Sequence, residues 1–238
     1  MIATADLWAA IEASWPAASS EHIGPFIWRD GAGGGSRVSA ATAQSQPDCA
    51  ALETIERKFA THGRAPLFQI RRGDDAFDRL LADRGYDSVD ATLCLAQSVD
   101  AFELPTPERA YVSWPPIAAQ RHIWHRGGID AARIDVMARV EIPKTTVLAR
   151  DGETPAGTAF MASLGSICVI HALEVPPHCR RKGVARSLMS QAAAWAKTNK
   201  ATTLAALVTR ANSDAQALYS SLGMREIDHY HYRRKGPV

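Results

Sequence analysis

The sequence predicts a mixed α/β fold built as two tandem copies, and three observations carry that prediction. First, segments with strand-like alternation or β-branched runs interleave with segments of helical spacing along the whole chain. Second, residues 166–188 pass from an apolar strand through a basic loop into a helix. Third, the order strand, helix, Gly, strand occurs twice. Arg72 aligns with Arg210, Asp74 with Asn212, Leu80 with Leu218, Gly85 with Gly223, Val89 with Ile227 and Asp90 with Asp228, without a gap.

In chain order, residues 5–15 have Leu7, Ile11 and Trp15 on one helical face, and 16–21 read as a loop. Residues 25–29 form a strand. The glycine-rich 30–36 reads as a wide hairpin turn before a strand at 37–42, because no helix follows it directly. Asp48 caps a helix over 49–62 that Gly63 ends. A strand at 65–70, a helix at 74–84 ended by Gly85, and a strand at 86–97 complete the first half. Residues 104–109, with Pro105 and Pro107, read as a linker. Residues 121–125 read as a short strand, and Asp130 caps a helix to about Val140. Strands at 145–149 and 158–162 flank the turn 150–154. Residues 202–209 form a buried strand, and 229–235 an edge strand with a basic tail.

With 238 residues, 46% hydrophobic and 22% charged, the chain has the balance of a globular protein of one large or two small domains. A net charge of +2 argues against nucleic acid or membrane as a general partner. No signal-peptide pattern or membrane-length apolar span occurs, so the cytoplasm is the expected location. Cys49, Cys94, Cys168 and Cys179 show no metal or Cys-x-x-Cys spacing, and no metal is expected. Cys94 and Cys168 lie in apolar strands and read as buried thiols. Cys179 stands beside three cations, which leaves a reactive thiol as its alternative.

The stretch that points to chemistry is 166–188. Its strand ends at Pro176-Pro177, and a helix runs on from Val184 through Leu188, Ala192 and Trp195. Between them lie Arg180, Arg181, Lys182 and Gly183. The first amides of a helix lack partners and carry partial positive charge, so a phosphate or pyrophosphate is the natural ligand. Neither a P-loop pattern nor Gly-x-Gly-x-x-Gly is present.

Arg180-Arg181-Lys182-Gly183-Val184-Ala185 resembles the Arg/Gln-x-x-Gly-x-Gly/Ala signature of the GNAT family of acyl-CoA-dependent N-acetyltransferases. The segment 212–224 resembles that family's Asn-x-x-Ala-x-x-Leu-Tyr-x-x-Leu-Gly-Phe motif, with Met224 in place of the aromatic. The resemblance covers about residues 120–235. It implies a mostly antiparallel central sheet splayed at the core strand, with domains at 1–103 (a degenerate copy) and 120–238 (catalytic) joined by 104–119.

The resemblance also implies roles. Acetyl-CoA is the implied co-substrate and an amine the acceptor: a small-molecule amine, a free amino acid or a protein N-terminus. Arg180, Arg181, Lys182, Gly183, Val184, Ala185, Arg186 and Ser187 would bind the pyrophosphate. Leu173, Glu174 and Val175 would hydrogen-bond the pantetheine arm, with Asn212 nearby. Asn212 also reads as a helix cap, and one residue serves both purposes.

Tyr219 is the implied general acid, against the alternative of a packed aromatic. For the base, strand alternation places Val169, His171 and Leu173 on one face and Ile170, Ala172 and Glu174 on the other. His171 and Glu174 are both candidates, against readings as a core histidine and a loop-edge glutamate. Water relaying the proton is the third option. In the first half, Gln44-Ser45-Gln46-Pro47-Asp48 replaces the basic loop and Leu81 replaces the tyrosine, so that half reads as a wall. A non-catalytic acyl-CoA sensor is the reading from another class, and the expected assembly is a monomer or homodimer.

Overall fold

The computed structural model describes residues 2–236. The first half contains α1 (Thr4–Ser14), β1 (Ser19–Ile23), β2 (Phe26–Asp30), β3 (Thr42–Ala43), α2 (Cys49–Thr61), β4 (Leu67–Arg71), α3 (Asp75–Asp83) and β5 (Asp87–Ser98). The second contains β6 (Ala110–Ser113), α4 (Ala118–Arg126), α5 (Ala131–Arg139), β7 (Lys144–Asp151), β8 (Thr154–Leu164), β9 (Ile167–Glu174), α6 (Val184–Thr198), β10 (Thr203–Thr209), α7 (Ser213–Ser221) and β11 (Arg225–Arg234).

The chain divides into two compact units that do not follow its sequence halves. Among the described residues the first contains 2–16, 94–208 and 212–227; the second contains 17–93, 209–211 and 228–236. These units depart from the boundaries expected at 1–103, 104–119 and 120–238. Helix α1 belongs with the C-terminal half. The last strand of each half ends in the other unit, β5 through residues 94–98 and β11 through 228–234. Within the expected linker, β6 is a paired strand, from Ala110 opposite Ala149 to Ser113 opposite Thr146.

In the first unit, strands β9, β8, β7 and β6 pair antiparallel in that order, and β10 adds to β9 in parallel. The two faces of β8 separate the helices. Thr158 accepts a hydrogen bond from Gln120 of α4, and Phe160 meets Trp15 just after α1. Gly157 points the other way and abuts Val184 of α6. The alternation along β8 thus places α1 and α4 on one face and α6 on the other.

Residues 121–125, expected as a strand, are helical. Gln120, Ile123 and Trp124 are buried at three- and four-residue spacing, and the Gln120 side chain accepts from the Ile117 amide at 3.0 Å to start the turn.

The second unit pairs β1, β2 and β3 antiparallel, and sets β11 between β4 and β5. The tail at 229–235 is therefore an interior strand, not an edge. Tyr230 and Tyr232 on it are each 3% exposed, and a strand with an aromatic every second residue has a buried face to fill. β1 begins inside the expected loop 16–21. The expected strand at 37–42 is mostly a 3₁₀ turn, Ser36–Val38, followed by a parallel bridge from Ala41 to Phe68 and antiparallel pairing at Thr42–Ala43. The core gathers Phe26, Phe59, Phe68, Phe77 and Leu81. Asp78 holds both His231 and Arg233, at 2.8 and 2.7 Å.

The internal repeat is visible in the elements. Helices α3 and α7 are each nine residues long and begin at Asp75 and Ser213, each three positions after the aligned Arg72 and Arg210. Strands β4 and β10 end, and β5 and β11 begin, at matching positions. Among the described residues no helix is long and apolar enough to cross a membrane.

Candidate active site

The site is organised by β9. Its ladder to β10 runs from Ile167 opposite Thr203 to Ile170 opposite Ala206 and stops there, although both strands continue. The sheet is splayed at this point, and the β9 edge at Leu173 and Val175 lies beyond the last β10 partner. On its other side β9 carries a bulge. Phe160 is opposite His171 and Thr158 is opposite Glu174, so two residues face one. Ala172 takes the strain at φ 51°. The bulge changes the parity of the strand. Partners in an antiparallel pair share a face, so His171 and Glu174 both lie on the side of α1 and α4. Simple alternation had separated them, and the extra residue at the bulge is the reason it fails.

The basic loop leads into α6. Gly183 is its N-cap residue, in the left-handed conformation at φ 79°, and a Cβ built there would meet nothing within 4 Å. No side chain caps the helix. Its first amides, at Val184, Ala185 and Arg186, open onto that space, and the first intrahelical bond is donated by Ser187 to the Gly183 carbonyl at 3.0 Å. The loop cations are held to the side. Arg180 donates to the Val175 carbonyl at 3.1 Å and lies 3.8 Å from Asp214, while Lys182 pairs with Asp151 at 2.9 Å. Arg186 reaches Ser221 of α7 at 3.5 Å. The arrangement offers an anion backbone amides in a cationic surround rather than a clamp of side chains.

Helix α7 begins at Asn212, whose Oδ1 accepts from the Ala215 amide at 3.0 Å. The cap reading of Asn212 is realised, and its Nδ2 is not used in that bond. Tyr219 is 5% exposed, and its hydroxyl makes no hydrogen bond to any described residue. Burial raises its pKa to about 12, so it is protonated at neutral pH.

The two base candidates sit in different surroundings. His171 is buried in a cluster with the rings of Trp15, at 5.0 Å, and Phe160, at 6.3 Å. Its Nε2 is 2.8 Å from Ser14 Oγ. Ser14 Oγ also stands 3.1 Å from the Ile11 carbonyl, so it bridges the end of α1 to the imidazole. Glu174 is half-buried, and burial raises its carboxyl pKa against the opposing pull of Arg180.

β9, the loop, α6 and α7 lie within one unit, and Asp214 and Ser221 of α7 reach the loop at Arg180 and α6 at Arg186. Sequence reading missed Ser14 and Trp15, which come from the N-terminal helix, and Trp124 and Gly157. Gly157 is tight, since a Cβ there would lie 2.7 Å from Val184 Cγ1 and 3.2 Å from the Glu174 carbonyl, so glycine lets α6 reach the sheet. Cys168 and Cys179 are both buried. Burial pushes the Cys168 thiol up, so it is a packed thiol rather than a nucleophile. No cluster of three or more His, Cys, Asp or Glu side chains among the described residues is placed to hold a metal.

Residues 107–224 match the Acetyltransferase (GNAT) family. The chain carries a GNAT acetyltransferase domain. Among solved structures, a GCN5-related N-acetyltransferase from Kribbella flavida aligns with a TM-score of 0.74 at 19% identity, covering 100% of this chain and 98% of that one. A tandem GNAT protein from the clavulanic acid biosynthesis pathway aligns over 100% of this chain and 89% of its own, with a TM-score of 0.64 and 12% identity. A putative GNAT-family acetyltransferase from Novosphingobium aromaticivorans covers 98% and 96%, with a TM-score of 0.60 and 13% identity. No curated protein matches the sequence significantly. At these identities the neighbours show the fold, and the match over 107–224 shows the GNAT domain. The tandem neighbour's full coverage agrees with the internal repeat.

Gly183→Asp is expected to weaken acetyl-CoA binding by at least about tenfold, roughly 1.4 kcal/mol. The change places a negative charge at the amide cluster and a side chain at positive φ. Calorimetric titration checks it, with circular dichroism confirming the fold.

Proposed function

We propose that the GNAT domain is an acyl-CoA-dependent N-acyltransferase that moves an acetyl group from acetyl-CoA to a primary amine, with one working site in the C-terminal half. The observation that carries this reading is the uncapped start of α6 at Gly183, set beside the splay of β9 and β10. The residues present fit acetyl-CoA. The amides of Val184 to Arg186 suit its pyrophosphate, with Arg180, Arg181 and Lys182 supplying the positive surround. The β9 edge at Leu173, Glu174 and Val175 suits the pantetheine arm as an added strand does, and Asn212 Nδ2 is a further donor. Bound there, acetyl-CoA supplies an activated acyl carbonyl.

Tyr219 holds a proton on its hydroxyl for the leaving sulfur. Glu174 accepts the proton of the amine, because burial raises its carboxyl pKa and makes it a stronger base than an exposed glutamate. His171 is given the supporting role, since its Nε2 is engaged by Ser14 and its buried ring packs against Trp15 and Phe160. The acceptor is a small-molecule amine, a free amino acid or a protein N-terminus.

The first half supports a wall in place of a second site. At the start of α2 the Asp48 carboxylate accepts from the Ala51 amide at 2.8 Å, so the chain's own anion fills the place that α6 leaves open. Leu81, the counterpart of Tyr219, is fully buried in the core of its unit. One equivalent of acetyl-CoA per chain is therefore expected in calorimetry, and two equivalents at saturation would contradict the reading.

A further inference from the structure

The last turn of α4 touches the catalytic strand at two points, and neither is explained by packing alone. Trp124 is fully buried, and its Nε1–H donates to the carbonyl of Ala172 at 2.7 Å. Ala172 is the residue at φ 51° that makes the bulge. A backbone held in that region persists only where its surroundings over-determine it.

The second point is Gly127. Its φ is −85°, a conformation that any residue adopts, so its backbone does not call for glycine. What calls for glycine is Glu174. A Cβ at position 127 would lie 2.6 Å from Glu174 Cδ, 2.7 Å from Cγ and 2.9 Å from Oε2. The carboxyl lies where the side chain of residue 127 would be.

We propose that Trp124 and Gly127 are positioning residues: the indole pins the bulge that turns Glu174 onto the face of His171, and the bare backbone of Gly127 receives the Glu174 carboxyl and holds it there. This rests on the reading of Glu174 as the base in acetyl transfer. It adds two residues outside the signature loop and the α7 motif. The charged and titratable groups around Glu174 are few. Arg180 acts on it from the loop before α6, His171 shares its face of β9, His125 and Arg126 at the end of α4 are exposed, and β8 carries no ionisable side chain. The shelter of α4 therefore governs how readily the carboxyl ionises, and Arg180 opposes it.

The test is a titration of the Glu174 carboxyl by ¹³C NMR in the full chain, beside steady-state kinetics. Gly127→Ala pushes the carboxyl toward solvent, and its midpoint should fall to the ordinary glutamate range near about 4.3. Trp124→Phe keeps a ring but removes the donor, and should move the midpoint the same way. In kinetics the acidic limb of the kcat/KM profile shifts to lower pH, since the base works ionised. Turnover falls by about tenfold or more, as misplacement of a reacting group does. Acetyl-CoA affinity stays native.

In a Glu174→Gln background, Gly127→Ala should cost nothing further. A midpoint unmoved by either substitution overturns the proposal, and so does an additive loss in the Glu174→Gln background. Because the NMR midpoint needs no turnover, a chain that transfers no acetyl group refutes the enzymatic reading while the placement of Glu174 is still judged.

Discussion

Tyr219→Phe is expected to lower turnover by about a hundredfold or more, the usual worth of general acid catalysis. The change keeps the ring, which is 5% exposed, and removes only a hydroxyl that bonds to no described residue. Stability and acetyl-CoA affinity should therefore remain nearly native. The raised pKa sets the sense of the effect: the group is a proton donor over the whole working range of pH. Stopped-flow or steady-state thiol release measures the loss. A drop of only two- or threefold would mean that the thiolate leaves with a proton from water. A drop in affinity would make the hydroxyl a binding contact.

The second large effect is on stability. Deleting residues 228–238 removes from the second unit the strand segment that pairs Tyr230 with Arg71 through Arg234 with Leu67. It takes away two aromatics that are 3% exposed, and the guanidinium that Asp78 holds through both oxygens. Truncating one buried aromatic costs about 3–5 kcal/mol. Two of them, with five strand pairs, match the whole margin of a domain, roughly 5–15 kcal/mol. The truncated chain should lose the cooperative melting of that unit. Scanning calorimetry checks this, and an unchanged melting profile would show that the exchanged strand is dispensable.

Much of this was legible in the residues. The loop Arg180–Ala185 and the Asn212–Met224 segment were readable because a backbone anion site and a helix start need particular residues at particular spacings. The repeat was readable because Gly85 and Gly223 both follow a helix at positive φ.

Other features were not legible, for physical reasons. The bulge at Ala172 leaves no mark in composition, so period-two reading placed His171 and Glu174 on opposite faces. Residues 121–125 looked strand-like because the helix is only nine residues long, and its buried set includes the polar Gln120. That Ser14 and Trp15 would meet His171 is a long-range fact, 157 residues apart for Ser14, which no local pattern encodes. The ends of β5 and β11 fall in a different unit from their starts, and no shift of composition marks the point where either strand changes unit.

The most direct test of the central claim is amine-dependent release of free thiol from acetyl-CoA by the wild-type chain. Small amines, amino acids and peptide N-termini should be presented in turn. The account predicts release well above the rate without amine for at least one of these classes, and its loss in Gly183→Asp. Acetyl-CoA bound at one equivalent, with no thiol released for any class, would contradict it and make the domain an acyl-CoA sensor.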